Sequence, residues 1–280
     1  MTEKNIPKII WLMWMQGLSE APFLVKKCVE SWKRENPEWN VIFLDENNLD
    51  KYIDPGIFRQ EKNIERLSLT KQSNLYRLQV LSEYGGVWAD ATTYCMKPLN
   101  DWIHGCTGSG FFVFYRPGRD RLLSTWFMVS EKGCPLTEKI KERYASFFIE
   151  NDFDNSRLRI PRFMLTKILN RSVRTTRYWF APFMTKVLRI YPYFVFHYMF
   201  ERLIATDEEC RYIWEKTKKV SAGPPHRIAR FGLYKPVDAD LIEEIDAKKV
   251  PIYKLSWKKD PEDYSPSTAL YYLLEGRFIK

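Results

Sequence analysis

Asp90 is the residue from which a chemical reading of this sequence starts. It follows a very short apolar run, Val87 to Ala89, entered through Gly85-Gly86. In open α/β sheets ligands gather outside the carboxyl ends of the strands, and this run would place the Asp90 carboxylate there. Arg77 lies thirteen residues earlier, and Lys254 ends a late apolar run, Pro251 to Leu255. A carboxylate at such a position can hold a divalent cation that keeps several waters, and Thr92 could add a hydroxyl, directly or through water. Arginine and lysine supply positive charge suited to phosphate. Together these residue types have the means to stabilise a departing diphosphate. Asp45 ends another apolar run and suits either contact with a base or ribose or a helix cap. Of the histidines, His197 sits in an aromatic stretch and reads as a core residue. His226, on a turn after Gly223-Pro224-Pro225, could approach a metal or an acceptor.

The elements that must position these groups follow from periodicity. Lys8 to Met15 reads as a buried strand, and Ala21 to Glu35 as a helix with Phe23, Leu24, Cys28, Val29 and Trp32 at spacings of three and four. Asn40 to Leu44 is a second strand, and Asn48 to Ile53 a short helix. Strand, helix, strand in the first 45 residues opens a parallel α/β sheet. Leu67 to Tyr84 reads as a helix closed by glycine. Phe111 to Tyr115 is a further strand, and beyond Leu136 the pattern turns helical and aromatic, clearest over Tyr191 to Ile204 and Asp207 to Lys219. Pro251 to Leu255 and Ser267 to Phe278 read as a late strand and a docked helix. The division expected is an α/β part over 1–154 and a mainly helical part over 155–280, in one compact body.

Composition narrows the class. With 280 residues, 45% of them hydrophobic, the chain can bury a large core. No apolar run approaches the roughly 20 residues that span a bilayer, and no signal peptide is evident. The five scattered cysteines form no metal or redox motif and read as reduced thiols in a cytoplasmic protein. The net charge of +9 is concentrated: residues 155–200 contain nine Lys or Arg and no Asp or Glu. Large apolar and aromatic residues interleave with these cations. That mixture suits an anionic membrane surface, and a solvated basic face over a core helix is the plainer alternative. No nucleic-acid motif accompanies the charge, so nucleic acid is not expected as a partner.

The run Ser73 to Thr92, SNLYRLQVLSEYGGVWADAT, resembles the capsular polysaccharide synthesis proteins related to glycosyltransferase family 32. Three further blocks agree in order: Ile6 to Trp11, Tyr193 to Tyr198 and Pro251 to Leu255. The resemblance implies an α/β, GT-A-type Rossmann-like nucleotide-sugar-binding fold with a helical, aromatic-rich carboxy-terminal half. It also implies a retaining hexosyltransferase that uses a UDP-sugar and Mn2+ or Mg2+. The acceptor expected is a lipid-linked oligosaccharide of capsule or extracellular polysaccharide synthesis, met at the inner face of the cell membrane. A protein or teichoic-type acceptor, or a non-catalytic membrane-bound scaffold, is the alternative.

By the same resemblance, Trp14 stacks on the donor base, Arg77 contacts the donor sugar or phosphate, Asn74 stands by a sugar hydroxyl, and Lys254 meets the diphosphate. Trp257, with Ser256, belongs to a closing segment. Asp90 is the expected metal ligand. Three departures stand out. The usual Asp-x-Asp is Asp90-Ala91-Thr92, Asn74 replaces a frequent Asp, and Tyr253 replaces a His.

Overall fold

The structure, a computed structural model, describes residues 4–54, 62–153, 162–258 and 264–276. Strand β1 (Ile9–Met13) leads into helix α1 (Phe23–Glu35) and returns as β2 (Asn40–Leu44), parallel to β1 with Ile9 opposite Asn40. Pro22 precedes α1, Asn36-Pro37 ends it, and Lys33 and Arg34 in its last turn suit the negative end of the helix dipole. The segment Asn48 to Ile53 forms only a 3-10 turn, Leu49–Lys51. Helix α2 (Leu69–Glu83) then feeds β3 (Gly86–Ala89), which pairs parallel to β1 on its other side.

The parallel opening expected of the first 45 residues is present, and beyond β3 the sheet turns antiparallel. Strand β4 (Thr93–Cys95) leaves it, while β5 (Phe111–Gly118) and β6 (Arg121–Ser130) form an antiparallel hairpin, and β6 pairs antiparallel with β3. The order is β2-β1-β3-β6-β5-β7, where β7 (Val220–Ser221) joins the edge from the second half of the chain. Strand β6 is buried over most of its length, and its run LLSTWFMVS lacks clean polar alternation, which hides it from a periodicity reading. A separate two-stranded ribbon joins β4 to β8 (Ile252–Lys254).

Both faces of the main sheet are covered, so alternate residues of each strand enter different cores. Trp11 and Trp88 pack with α2, with α3 (Pro135–Ile149) and with α4 (Val195–Thr206), while Ile10, Leu12, Val87 and Ala89 pack with Trp32 of α1 and Phe127. A third core under the ribbon gathers Tyr94, Tyr253 and Leu241. All five cysteines are free and buried. Among the described residues no helix is long and apolar enough to cross a membrane.

The turn into β3 is set by backbone clearance. Gly85 and Gly86 both have positive φ, and a Cβ on Gly86 would lie 2.5 Å from the Ile9 carbonyl oxygen across the β1–β3 pair. Glycine alone fits this turn without moving a strand. Gly86→Ala is expected to cost about 2 to 4 kcal/mol, the left-handed backbone and the overpacking both contributing. Urea unfolding measures it. A loss below about 0.5 kcal/mol would show that strand β1 yields freely.

Candidate active site

The described residues enclose a cavity of roughly 780 Å³ at the carboxyl ends of β1 and β3, walled also by α2, β6, the start of α4 and the segment after β8. Asp90 stands directly after β3, its amide donating to the Trp126 carbonyl of β6 at 2.8 Å. Its main-chain oxygen accepts from the Thr93 amide and hydroxyl, which closes a tight turn into β4. The Trp32 indole of α1 donates in turn to the Thr93 carbonyl. The motif is therefore held by main chain on every side.

The Asp90 carboxylate lies between two cations. Its Oδ1 accepts from Arg77 Nη2 at 2.9 Å and from the Trp88 indole at 3.0 Å, and its Oδ2 accepts from Lys254 Nζ at 3.1 Å. Burial would raise the Asp90 pKa, but the Lys254 and Arg77 charges and the Trp88 hydrogen bond outweigh it and hold the carboxyl at about 2. Arg77 is only 4% exposed; burial lowers its pKa and Asp90 offsets part of the effect. Its guanidinium lies 4.9 Å from the Trp88 ring and donates from Nη1 to Asn74 Oδ1 at 2.5 Å. The Asn74 amide donates to the Tyr144 hydroxyl. Asn74, expected beside a sugar hydroxyl, thus has its carboxamide engaged at both ends and orients Arg77.

Lys254 reaches the site because β8 pairs with β4 in a register that sets Lys254 opposite Thr93. Its ammonium also hydrogen-bonds the Thr92 hydroxyl. Strand alternation sends Tyr253 the other way, where its hydroxyl donates to Glu244 in the third core. The residue in the place of the relatives' His therefore lies outside the cavity. Trp14 and Trp257 meet edge to face, ring centroids 5.4 Å apart, at the wall. Asp45 is not among the wall residues: its carboxylate accepts from the Asn47 amide two residues on, inside the turn that follows β2, and it caps no helix, since Asn48 precedes the next helical turn.

Five cationic side chains, Lys71, Arg77, Arg121, Lys254 and Lys258, face a single carboxylate among the described wall residues. The excess of positive charge in a partly enclosed space fits an anionic ligand. Four wall residues, Arg77, Ser124, Trp126 and His197, carry a buried side-chain nitrogen or oxygen without a hydrogen-bond partner. Buried polar groups left open in this way call for a partner.

A family description, capsular polysaccharide synthesis protein, matches residues 1–273. The chain belongs to that family. Curated relatives include the O-glycosyltransferase braB of Annulohypoxylon truncatum, 26% identical over 50% of this chain and 38% of its own length. The initiation-specific alpha-1,6-mannosyltransferase of Candida albicans (strain SC5314 / ATCC MYA-2876) is 27% identical over 36% of this chain and 28% of its own length. The chain thus spans well under half the length of these relatives. Among solved structures the PaToxG glycosyltransferase overlaps at a TM-score of 0.37 and 15% identity, covering 75% of this chain and 85% of that one.

The divalent cation implied by resemblance to this family finds a poor seat. Both Asp90 oxygens already face cations, the Thr92 hydroxyl is taken by the same lysine, and no group of three His, Cys, Asp or Glu that could hold a metal ion occurs among the described residues. His226 lines the wall, its Nδ1 2.8 Å from the Ala222 carbonyl. His197, expected in the core, lines it too, at the start of α4. Burial, then the surrounding cations, push the His197 pKa well down, so the imidazole is neutral.

Lys71, Arg121 and Lys258 are the wall cations that motif reading missed. Lys71 did leave a signal, because Lys71, Asn74 and Arg77 recur every three residues along a helix that is otherwise core, and all three are buried. Arg121 opens the unexpected strand β6 and had none.

The depressed Asp90 pKa makes a signed prediction. The carboxylate contributes stability that is fully present above pH 3.8, its ordinary value, and is lost as pH falls through about 2. Asp90→Asn is expected to cost about 3 kcal/mol at neutral pH, because Arg77 is left buried without its counter-charge. Denaturant unfolding at pH 7 and at the lowest pH where the fold persists should show the difference shrinking on acidification. A cost independent of pH would remove the charge pairing as its cause.

Proposed function

We propose that this protein is a glycosyltransferase that moves a hexose from a UDP-sugar to a lipid-linked oligosaccharide in capsular or extracellular polysaccharide synthesis. The observation that carries this reading is the cluster of cations around Asp90, set in one cavity with the Trp14–Trp257 aromatic pair. A nucleoside diphosphate needs both parts: a flat apolar face for the base and positive charge for the phosphates. The family match and the glycosyltransferases among the relatives support the same class.

In the transfer, the bond from the anomeric carbon to the diphosphate oxygen breaks and its electron pair leaves with the diphosphate. The Arg77 fork and the Lys254 ammonium, both prepositioned by Asp90, stabilise that developing charge without reorganising. The acceptor hydroxyl bonds to the anomeric carbon, and its proton passes to the departing diphosphate oxygen. Asp90 is the single carboxylate on the described wall, and it is already paired with both cations. A retaining reaction is therefore read as attack from the face the diphosphate leaves.

A lipid-linked acceptor gives the basic segment a purpose. Among the described residues, seven of the eleven exposed large hydrophobic residues fall between Phe163 and Tyr193, the span that also carries Lys167, Arg171, Arg174, Arg177, Lys186 and Arg189. Arg157 and Arg159 of the same run lie outside the described residues. Tyr193, 68% exposed, also lines the cavity. Basic and apolar groups on one surface suit the anionic inner leaflet, where each Lys or Arg contributes about 1 kcal/mol.

Two experiments test the reading. Incubation with a panel of UDP- and GDP-hexoses should release nucleoside diphosphate from at least one donor. Arg77→Lys, which keeps one charge and loses the fork, should slow that release about 100-fold or more. No release from any donor, or full activity in the variant, would sink the assignment. Flotation with vesicles should recover the protein on anionic and not on neutral lipid, and Phe183→Ser with Val187→Ser should weaken recovery while leaving stability within about 0.5 kcal/mol. Equal recovery on both lipids would remove the membrane surface.

A further inference from the structure

We propose that the Lys254 ammonium takes the place and the work of the divalent cation, so that the site binds a nucleoside diphosphate without metal. The inference rests on the glycosyltransferase reading and goes beyond it by naming what neutralises the diphosphate.

The first support is position. The stretch Asp90-Ala91-Thr92 keeps the first carboxylate of the Asp-x-Asp pattern and replaces the second by threonine. Lys254 Nζ hydrogen-bonds side chains at both positions, Asp90 Oδ2 and Thr92 Oγ1. It therefore sits between the two groups that would share a metal ion. The exchange of carboxylate for hydroxyl is consistent with this occupant. A monovalent ammonium needs one counter-charge and several acceptors, whereas a divalent ion asks for more anionic oxygen.

The second support is that the fold fixes the ammonium there. The register of β8 against β4 sets Lys254 opposite Thr93, the Leu255 amide donates to the Thr92 carbonyl at 2.9 Å, and Tyr253 on the opposite face is locked to Glu244. Lys254 is thus the last residue of a paired strand with its side chain 20% exposed, and not a loose surface lysine.

The third support is the state of Asp90. Arg77 and Trp88 engage Oδ1, and Arg77 itself is buried and tied to Asn74. A divalent ion on Oδ2 would have to displace the ammonium into a wall that already carries Lys71, Arg77 and Arg121. Those side chains, with Lys254, bring enough positive charge for a nucleoside diphosphate. In the transfer step Lys254 hydrogen-bonds the departing diphosphate and remains protonated, while the acceptor's proton still goes to the leaving oxygen.

Calorimetric titration of the full chain with UDP and with GDP tests this in three buffers: excess EDTA, Mg2+ and Mn2+. The expected result is a Kd for the bound nucleotide that agrees within about twofold across all three. Lys254→Met, which keeps the aliphatic stem, should weaken binding in EDTA by about tenfold or more, and Lys254→Arg should recover part of it. Wild-type binding that falls tenfold or more in EDTA would overturn the inference and leave the glycosyltransferase reading standing. Lys254→Met binding as tightly as wild type in EDTA would overturn it as well. If neither nucleotide binds in any buffer, the glycosyltransferase reading itself fails and takes the inference with it. The EDTA comparison uses the wild-type chain, so it decides the matter even if a variant misfolds.

Discussion

The pairing of one carboxylate with two cations governs this structure. Asp90 is what permits Arg77 to be buried and charged in the middle of helix α2, and it pairs on the same spot with Lys254 from the far end of the chain. Taking a guanidinium out of water is unfavourable unless its donors are met. Asp90 and Asn74 accept from its two terminal nitrogens and Trp88 lies against its face, while Nε stays open. The result is a rigid site in which a single wall carboxylate answers two cations.

The fold holds that arrangement with main chain rather than with loops. Asp90 is pinned by the β6 backbone, by Thr93 and, through it, by Trp32 of α1, while Lys254 arrives on a paired strand. The glycine pair before β3 lets that strand lie close against β1, and so sets the depth of Asp90 in the sheet. Preorganisation of this kind is what a site needs to stabilise charge that develops during reaction.

The second half of the chain completes the cavity and exposes the surface that distinguishes it. Residues 162–193 pack only partly inward: Trp179 and Leu188 join a small core with Tyr198, while Phe163, Phe183 and Val187 stay in solvent beside basic residues. A buried anchor under an exposed apolar and basic face differs from an ordinary solvated helix, whose exposed side is polar. At the end of the same stretch Tyr193 lines the cavity wall.

Local sequence determined most of the elements and the leading site residues. Periodicity gave α1, β1 and β2 to within about two residues. The strand-end position of Asp90 pointed to the site, and the resemblance to the family added Arg77, Lys254, Trp14 and Trp257, all of which the fold gathers on one wall. These signals are local, since a strand's end and a helix's apolar stripe are written within a few neighbouring residues. What only the tertiary structure decided depends on pairing at long range. The antiparallel β6, the wall residues Arg121 and His197, and the engagement of Asn74 with Arg77 and Tyr144 all follow from which strands and helices meet. Lys254 makes the clearest case: its residue type announced a partner for phosphate, but the register of β8 on β4, across more than 150 residues, set its ammonium between Asp90 and Thr92. No local pattern encodes that distance.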